Sequence, residues 1–317
     1  MRVVIIGGSG HIGTYLVPTL VEMGYEVINL TRGQSKPYTP NRAWEAVTAV
    51  TVDRDAEDAA GTFGERVKAL KPDIVIDLIC FTEESNRQLV EALRGQVQHF
   101  IHCGTIWVYG HSTQVPALED QPRHPFGNYG IQKAAIEAYL MREARLNGFP
   151  ATDLLVGHIT GPGWRPINAQ ANLNVSVFEK LAHGEALPIP NLGLETLHHV
   201  HAADVAQMFV QAITHWSASV GESFHTVSPA ALTLRGYAEA VAGWFGQAAN
   251  LQFMAWDEYA TAVGEVDAGV TKDHIGHSPN ASIAKAQRMI DYQPRYSSLQ
   301  AIHEAVDWLV ENGQVKV

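Results

Sequence analysis

The chain has 317 residues, 46% of them hydrophobic, and 22 Lys and Arg against 33 Asp and Glu, for a formal charge of -11. That length is enough to bury a large core, as one large α/β domain or as a main domain with a smaller satellite. The negative field works against a nonspecific hold on nucleic acid or an anionic membrane. MRVVII runs straight into a glycine turn without a signal-peptide pattern, and no segment approaches about 18 consecutive apolar residues, so a cytoplasmic protein with no membrane partner is expected.

In chain order, apolar runs of strand length stand at 3–6, 26–30, 46–52, 73–79, 99–103 and 153–157. Amphipathic stretches fit between them, at Ile12 to Met23, Thr82 to Leu93 and Tyr129 to Asn147, the last followed by Gly148 as a C-cap. The alternation predicts βαβ units and a doubly wound parallel sheet with helices on both faces. From His158 the pattern loosens into a GPGWRP loop, a helix over 172–184 closed by Gly184, and an extended, proline-broken LPIPNLG. A helix is expected from after Ala203 to about residue 215, and the end reads as two helices split by a proline turn. Cys80 and Cys103 each follow a strand-like run and read as small buried residues, a disulfide between neighbouring strand ends being the other reading.

GGSGHIG places Gly7, Gly10 and Gly13, with Ser9, His11 and Ile12 among them, between the first strand and the first helix. There the glycines allow a tight turn, close backbone approach and a helix N-terminus aimed at a pyrophosphate, so a Rossmann-type dinucleotide site is expected. The second strand ends in Thr31-Arg32-Gly33, where an acidic residue would suit the ribose hydroxyl of NAD. A neutral residue followed by arginine suits a 2'-phosphate, which points to NADP over NAD. Asp53, after the third strand, is placed to accept from an adenine amino group or simply to form a turn.

NYGIQK puts Tyr129 and Lys133 one helical turn apart on one face. A phenol titrates near pH 10, and a nearby ammonium lowers that value, so the pair can move a proton. HCGTIWVYG sets Thr105 at the carboxyl end of the fifth strand, where ligands bind in open α/β sheets.

With these motifs the chain resembles, over nearly its full length, an extended short-chain dehydrogenase/reductase of the NAD-dependent epimerase/dehydratase family, which includes UDP-galactose 4-epimerase. The family's glycine turn matches Gly7, Gly10 and Gly13, its S/T-x-x-V-Y-G matches Thr105 to Gly110, and its Tyr-x-x-x-Lys matches Tyr129 and Lys133. Its GPG matches Gly161 to Gly163, its HV-x-x-x-D-V-A resembles His199 to Ala206, and its K-A-x-x-x-L-G-x-x-P resembles Lys285 to Pro294. The resemblance implies a Rossmann domain over 1–157 plus about 198–228 and a smaller, C-terminal substrate-binding domain over about 158–197 plus 229–317. It implies that Tyr129 is the general acid/base, that Lys133 binds the nicotinamide ribose and lowers the tyrosine pKa, and that Thr105 polarises the reacting oxygen. A sugar-like small molecule as substrate and a homodimer built from Thr82 to Leu93 and Tyr129 to Asn147 are also implied, although the apolar residues of those helices could equally face the chain's own sheet.

Departures from the family narrow the expectation. Its dehydratases carry Asp-Glu after the threonine, where this chain has Ile106 and Trp107, which argues against a dehydratase. Trp107 is expected to stack on a substrate ring or to fill the cleft wall. LETLHHVH lacks the arginine that often holds a nucleotide-sugar diphosphate, leaving Arg165 and Arg235 as substitutes. His158 replaces the family's asparagine and would donate to substrate or titrate near neutrality. His199 and His201 share a strand face, but with no recurring Cys or acidic ligand no metal is expected. A competing class is an NADP-binding sensor or RNA-binding protein on the same scaffold, since LTRG and the short fourth loop also resemble the chloroplast stem-loop RNA-binding branch.

Overall fold

A computed structural model describes residues 1–317. The first half lays down β1 (Arg2–Ile6), α1 (His11–Glu22), β2 (Glu26–Thr31), β3 (Thr48–Thr51), α2 (Arg54–Ala59), α3 (Phe63–Ala69), β4 (Ile74–Asp77), α4 (Glu83–Leu93), β5 (His99–Thr105), α5 (Gly127–Asn147) and β6 (Ala151–Val156). Then come β7 (His158–Thr160), α6 (Ser176–Ala182), β8 (Ala186–Pro190), β9 (Thr196–Leu197), β10 (His199–His201), α7 (Ala202–Thr214), α8 (Trp216–Ser219) and β11 (Ser223–Thr226). The remainder is β12 (Leu232–Thr233), α9 (Leu234–Trp244), β13 (Asn250–Met254), α10 (Trp256–Val263), α11 (Glu265–His277), α12 (Ala284–Ile290) and α13 (Ser298–Glu311).

Seven strands form one parallel sheet in the order β11-β6-β5-β4-β1-β2-β3. Leu16, Val17 and Leu20 of α1 and Val205, Met208 and Phe209 of α7 cover one face. On the other, α3, α4 and α5 contribute Val67, Leu89, Val90, Leu93, Ile136 and Leu140. A separate core around Phe178, Leu181, Leu187, Tyr237, Val241 and Ile302 gathers the later elements. No helix is long and apolar enough to cross a membrane.

Several sequence expectations are met by the local chemistry. Thr82 caps α4 by accepting from Ser85 N, and Gly148 ends α5 in the left-handed region at φ 70°. The third strand is shorter than its apolar run, because Asn41 caps a 3₁₀ turn over Arg42–Ala46 that consumes the start. LPIPNLG is extended as expected, and its first part is β8, paired in parallel with β13. The helix expected over 172–184 begins only at Ser176, because the Asn172 and Asn174 side chains bond to nearby backbone and the Asn168 side chain binds both Asn172 and Asn174. Both cysteines are free and buried. The apolar faces of α4 and α5 are spent on the chain's own sheet.

One charged pair lies inside this core. Arg54, the first residue of α2, reaches Asp77 at the end of β4 at 2.6 Å, with Asp77 fully buried. Burial pushes the Asp77 carboxyl up, but the guanidinium outweighs it and holds the group below its usual range. Removing one partner leaves the other charge buried and unpaired. Asp77→Ala is therefore expected to cost about 3–5 kcal/mol in urea denaturation, with Arg54→Met plus Asp77→Leu recovering most of the loss.

Candidate functional site

The glycine turn is set by close approach. A Cβ on Gly13 would lie 1.8 Å from the Gly8 carbonyl oxygen, and Gly7 sits at φ +88°. Asn29 of β2 pins the turn: its Oδ1 accepts from Gly8 N at 2.9 Å and its Nδ2 donates to Ser9 Oγ at 2.9 Å. Sequence reading missed Asn29, although a polar residue inside the buried run EVINL was a signal. Gly10 precedes α1 without a side-chain cap, and the first turn holds no acid. Its N–H groups are free and its end is positive, which fits an anionic pyrophosphate.

Beside the turn is a groove of 270 Å³ lined by Gly7, Ser9, Gly10, Arg32, Ser35 and Arg54, among others. Arg32 is exposed at its edge. Asp53 does not line it: its side chain accepts from Ala56 N at 3.1 Å and caps α2, the turn-forming alternative. Ile12 packs in the core. His11 is buried, with neither ring nitrogen bonded to a side chain, and it stacks on Trp164 at 5.1 Å.

Thr105 closes β5, and its Oγ1 accepts from Trp107 N at 3.3 Å to start the 3₁₀ turn Ile106–Tyr109. Tyr129 and Lys133 rise one turn apart on α5. Tyr129 keeps 41% of its surface, with its ring edge-on to Trp107 at 5.9 Å. Burial pushes the phenol up to about 12, opposed by the Thr105 hydrogen bond. The expected lowering by Lys133 is not found, because the ammonium turns inward. It donates to Cys103 O at 2.7 Å, lies 3.4 Å from His102 Nε2, and sits 5.9 Å from the Tyr129 ring centre.

Behind Lys133, His102 Nδ1 meets Asp153 Oδ1 at 2.7 Å, both fully buried. Burial pushes Asp153 up to about 7, with Lys133 and Arg123 pulling it down. Gly104 makes room, since a Cβ there would lie 2.7 Å from Asp153 Oδ1. None of this cluster was singled out from the sequence, yet Asp77, His102 and Asp153 each interrupt an apolar strand.

Trp107 joins the tyrosine to a set of histidines. Its ring is 5.9 Å from that of Tyr129, 6.3 Å from His158 and 5.1 Å from His274, and it stacks on His277 at 3.9 Å. His158 does not titrate near neutrality as expected: burial, then the neighbouring His274 and His199, hold it well below 6.5. Arg165 is exposed and makes no hydrogen bond or ion pair, whereas Arg235 pairs with Glu239 at 2.8 Å. In HHVH each ring has its own partner: His198 binds Ser228 O, His199 binds Ile167 O, and His201 meets Glu304 at 3.1 Å while accepting from Ala203 N.

Burial lowers His99 and His199 to about 3, and His11, His198, His201, His225 and His277 to about 4. An unfolded histidine titrates near 6.5, so unfolding takes up protons and stability is lost as pH falls from about 6.5 toward 4. Asp153, raised to about 7, and Glu119, Asp204 and Glu304, also raised by burial, run the other way, losing stability as pH rises, but they are four groups against seven. Thermal melts are expected to show the midpoint falling steeply between pH 7 and about 4.5. A flat profile would contradict neutral burial.

Residues 3–225 match the family model described as NAD dependent epimerase/dehydratase family. A 2'-dehydrokanamycin reductase from Streptomyces kanamyceticus is 33% identical over 137 residues, 43% of this chain; the match spans only 37% of that relative. The chloroplast stem-loop binding protein of 41 kDa b from Arabidopsis thaliana is 24% identical, with 96% of this chain and 78% of the relative covered. Among solved structures, a UDP-glucose 4-epimerase from Thermotoga maritima superposes with a TM-score of 0.74 at 21% identity, covering 98% of this chain and 99% of that one. A dTDP-glucose 4,6-dehydratase from Bacillus anthracis gives 0.75 at 16% identity, covering 99% and 98%. Such likenesses establish the fold and do not discriminate between the reactions.

Proposed function

The chain belongs to the NAD dependent epimerase/dehydratase family, and we propose that within it the protein is an oxidoreductase or epimerase moving hydride to or from a secondary alcohol or ketone of a sugar or sugar derivative. The observation that carries this reading is the placement of Thr105 at the end of β5 beside Tyr129 and Lys133 on the first turns of α5, with an uncapped α1 alongside. When bound, the nicotinamide supplies hydride donation and acceptance. Thr105 holds the reacting oxygen, and Tyr129 gives it a proton or takes one back. Burial pushes the phenol up, so in the cofactor-free protein Tyr129 holds its proton at neutral pH.

Gly7, Ser9, Gly10 and the N–H groups from His11 to Gly13 are proposed to cradle the pyrophosphate, and Lys133, which rests buried on the Cys103 carbonyl, would have to swing outward to hold the nicotinamide ribose. NADP is the preferred cofactor in this proposal, because Arg32 stands exposed beside the groove with no acid in its place. Ile106 and Trp107 cannot supply the extra acid and base of an elimination, which weighs against a dehydratase. Similarity to the stem-loop binding protein supports a second reading as a nucleic-acid binder, which the charge of -11 opposes.

Tyr129→Phe is expected to lower ketone reduction by about 10²- to 10⁴-fold while leaving NADPH affinity unchanged in fluorescence titration. Equal rates for the two proteins would sink the assignment of Tyr129. Arg32→Ala is expected to weaken NADPH about 10- to 100-fold and leave NADH alone, as loss of a charge-assisted contact to the 2'-phosphate predicts. An equal effect on both cofactors would remove Arg32 as the selector.

A further inference from the structure

Resting on that reading, we infer that the site beside Tyr129 takes an uncharged, hydroxylated ring and not a nucleotide diphosphate, with His158 reading its hydroxyls. The starting observation is a concentration of unmet polar atoms. Nδ1 and Nε2 of His158, Oγ1 of Thr160, Nδ1 of His199 and Nε2 of His277 are all buried without a partner. Each such atom costs about 1–3 kcal/mol unless something polar meets it.

These atoms belong to one neighbourhood. His158 and Thr160 stand two residues apart on β7, so they share a face, and β10 pairs alongside in the register His199 with His158. His158 lies 5.5 Å from His199 and 5.1 Å from His274, and Trp107 bridges His158, His274 and His277 to Tyr129. A polar ligand reaching Tyr129 from this side meets that set.

Charge then selects the ligand. Burial depresses His158, His199, His274 and His277, so the imidazoles are neutral at physiological pH. His158 offers one donor and one acceptor, whereas the other three already donate to the carbonyls of Ile167, Val270 and Asp273 and offer an acceptor only. A hydroxyl, which both donates and accepts, satisfies such a ring. A diphosphate only accepts, carries negative charge and needs Arg or Lys to replace its hydration, and this aromatic set contains neither. Arg165, exposed in the loop after β7 and without a hydrogen bond or ion pair, is the control.

The test is saturation-transfer NMR and calorimetry on the NADP-loaded full chain with four probes: myo-inositol, methyl α-D-glucopyranoside, UDP and UDP-glucose. The two neutral rings are expected to receive saturation and UDP to give no heat. His158→Phe is expected to weaken the neutral rings at least about tenfold, and His158→Gln, which keeps a donor and an acceptor, to retain most of the binding. Micromolar binding of UDP or UDP-glucose that Arg165→Ala abolishes overturns the inference. So does failure of both neutral rings to receive saturation, or indifference to His158→Phe in a variant whose melting curve is unchanged. Tyr129→Phe, assayed alongside, separates the two levels: loss of ketone reduction there with any of these failures leaves the proposed function standing and removes only the substrate class.

Discussion

A parallel sheet is stable only when both of its faces are covered, and nearly everything in this molecule follows from that constraint. Every crossover between neighbouring strands carries a helix except that from β2 to β3, which has only a 3₁₀ turn, so all strand ends that can hold chemistry emerge along one edge. Gly13 presses against the Gly8 carbonyl because α1 must pack directly on the strand it follows. The same close approach leaves the α1 N-terminus bare, and Asn29 supplies the one side chain that keeps the turn in place.

Polar groups drawn into so well covered a sheet can survive only in company. Arg54 answers Asp77, His102 answers Asp153, and Lys133 is pulled onto the Cys103 carbonyl at the level of the site. The inward turn of Lys133 has a mechanistic consequence. With its ammonium engaged there, the phenol of Tyr129 is governed by burial and by Thr105, and it keeps its proton. On the other side of Tyr129 the histidines are neutral for the same reason, desolvation, so the walls around one hydroxyl combine hydrogen-bonding capacity with little charge.

Much of the fold was legible in the linear text. The strand runs, the Gly148 cap, the start of α4 near Thr82 and the glycine turn each rest on interactions within a few residues, so local chemistry exposed them. Less legible were α2 and α3, short helices in a polar stretch, and α9, whose apolar face completes a core assembled from distant segments, with α10 and α11 after it. The parallel pairing of β8 with β13 joins segments about sixty residues apart, a separation that leaves no periodic trace in either.

By itself the sequence determined that a strand, a tight glycine turn and a helix N-terminus would meet, and that a tyrosine, a lysine and a threonine would lie near one strand end, because spacing and conformational freedom are properties of the local chain. Only the tertiary structure decided the protonation of that site. Lys133 turned away from the phenol and His158 lost its near-neutral titration, each because of neighbours brought from elsewhere in the chain. Desolvation and long-range charge are set by what surrounds a group in space, and no spacing along the chain records them.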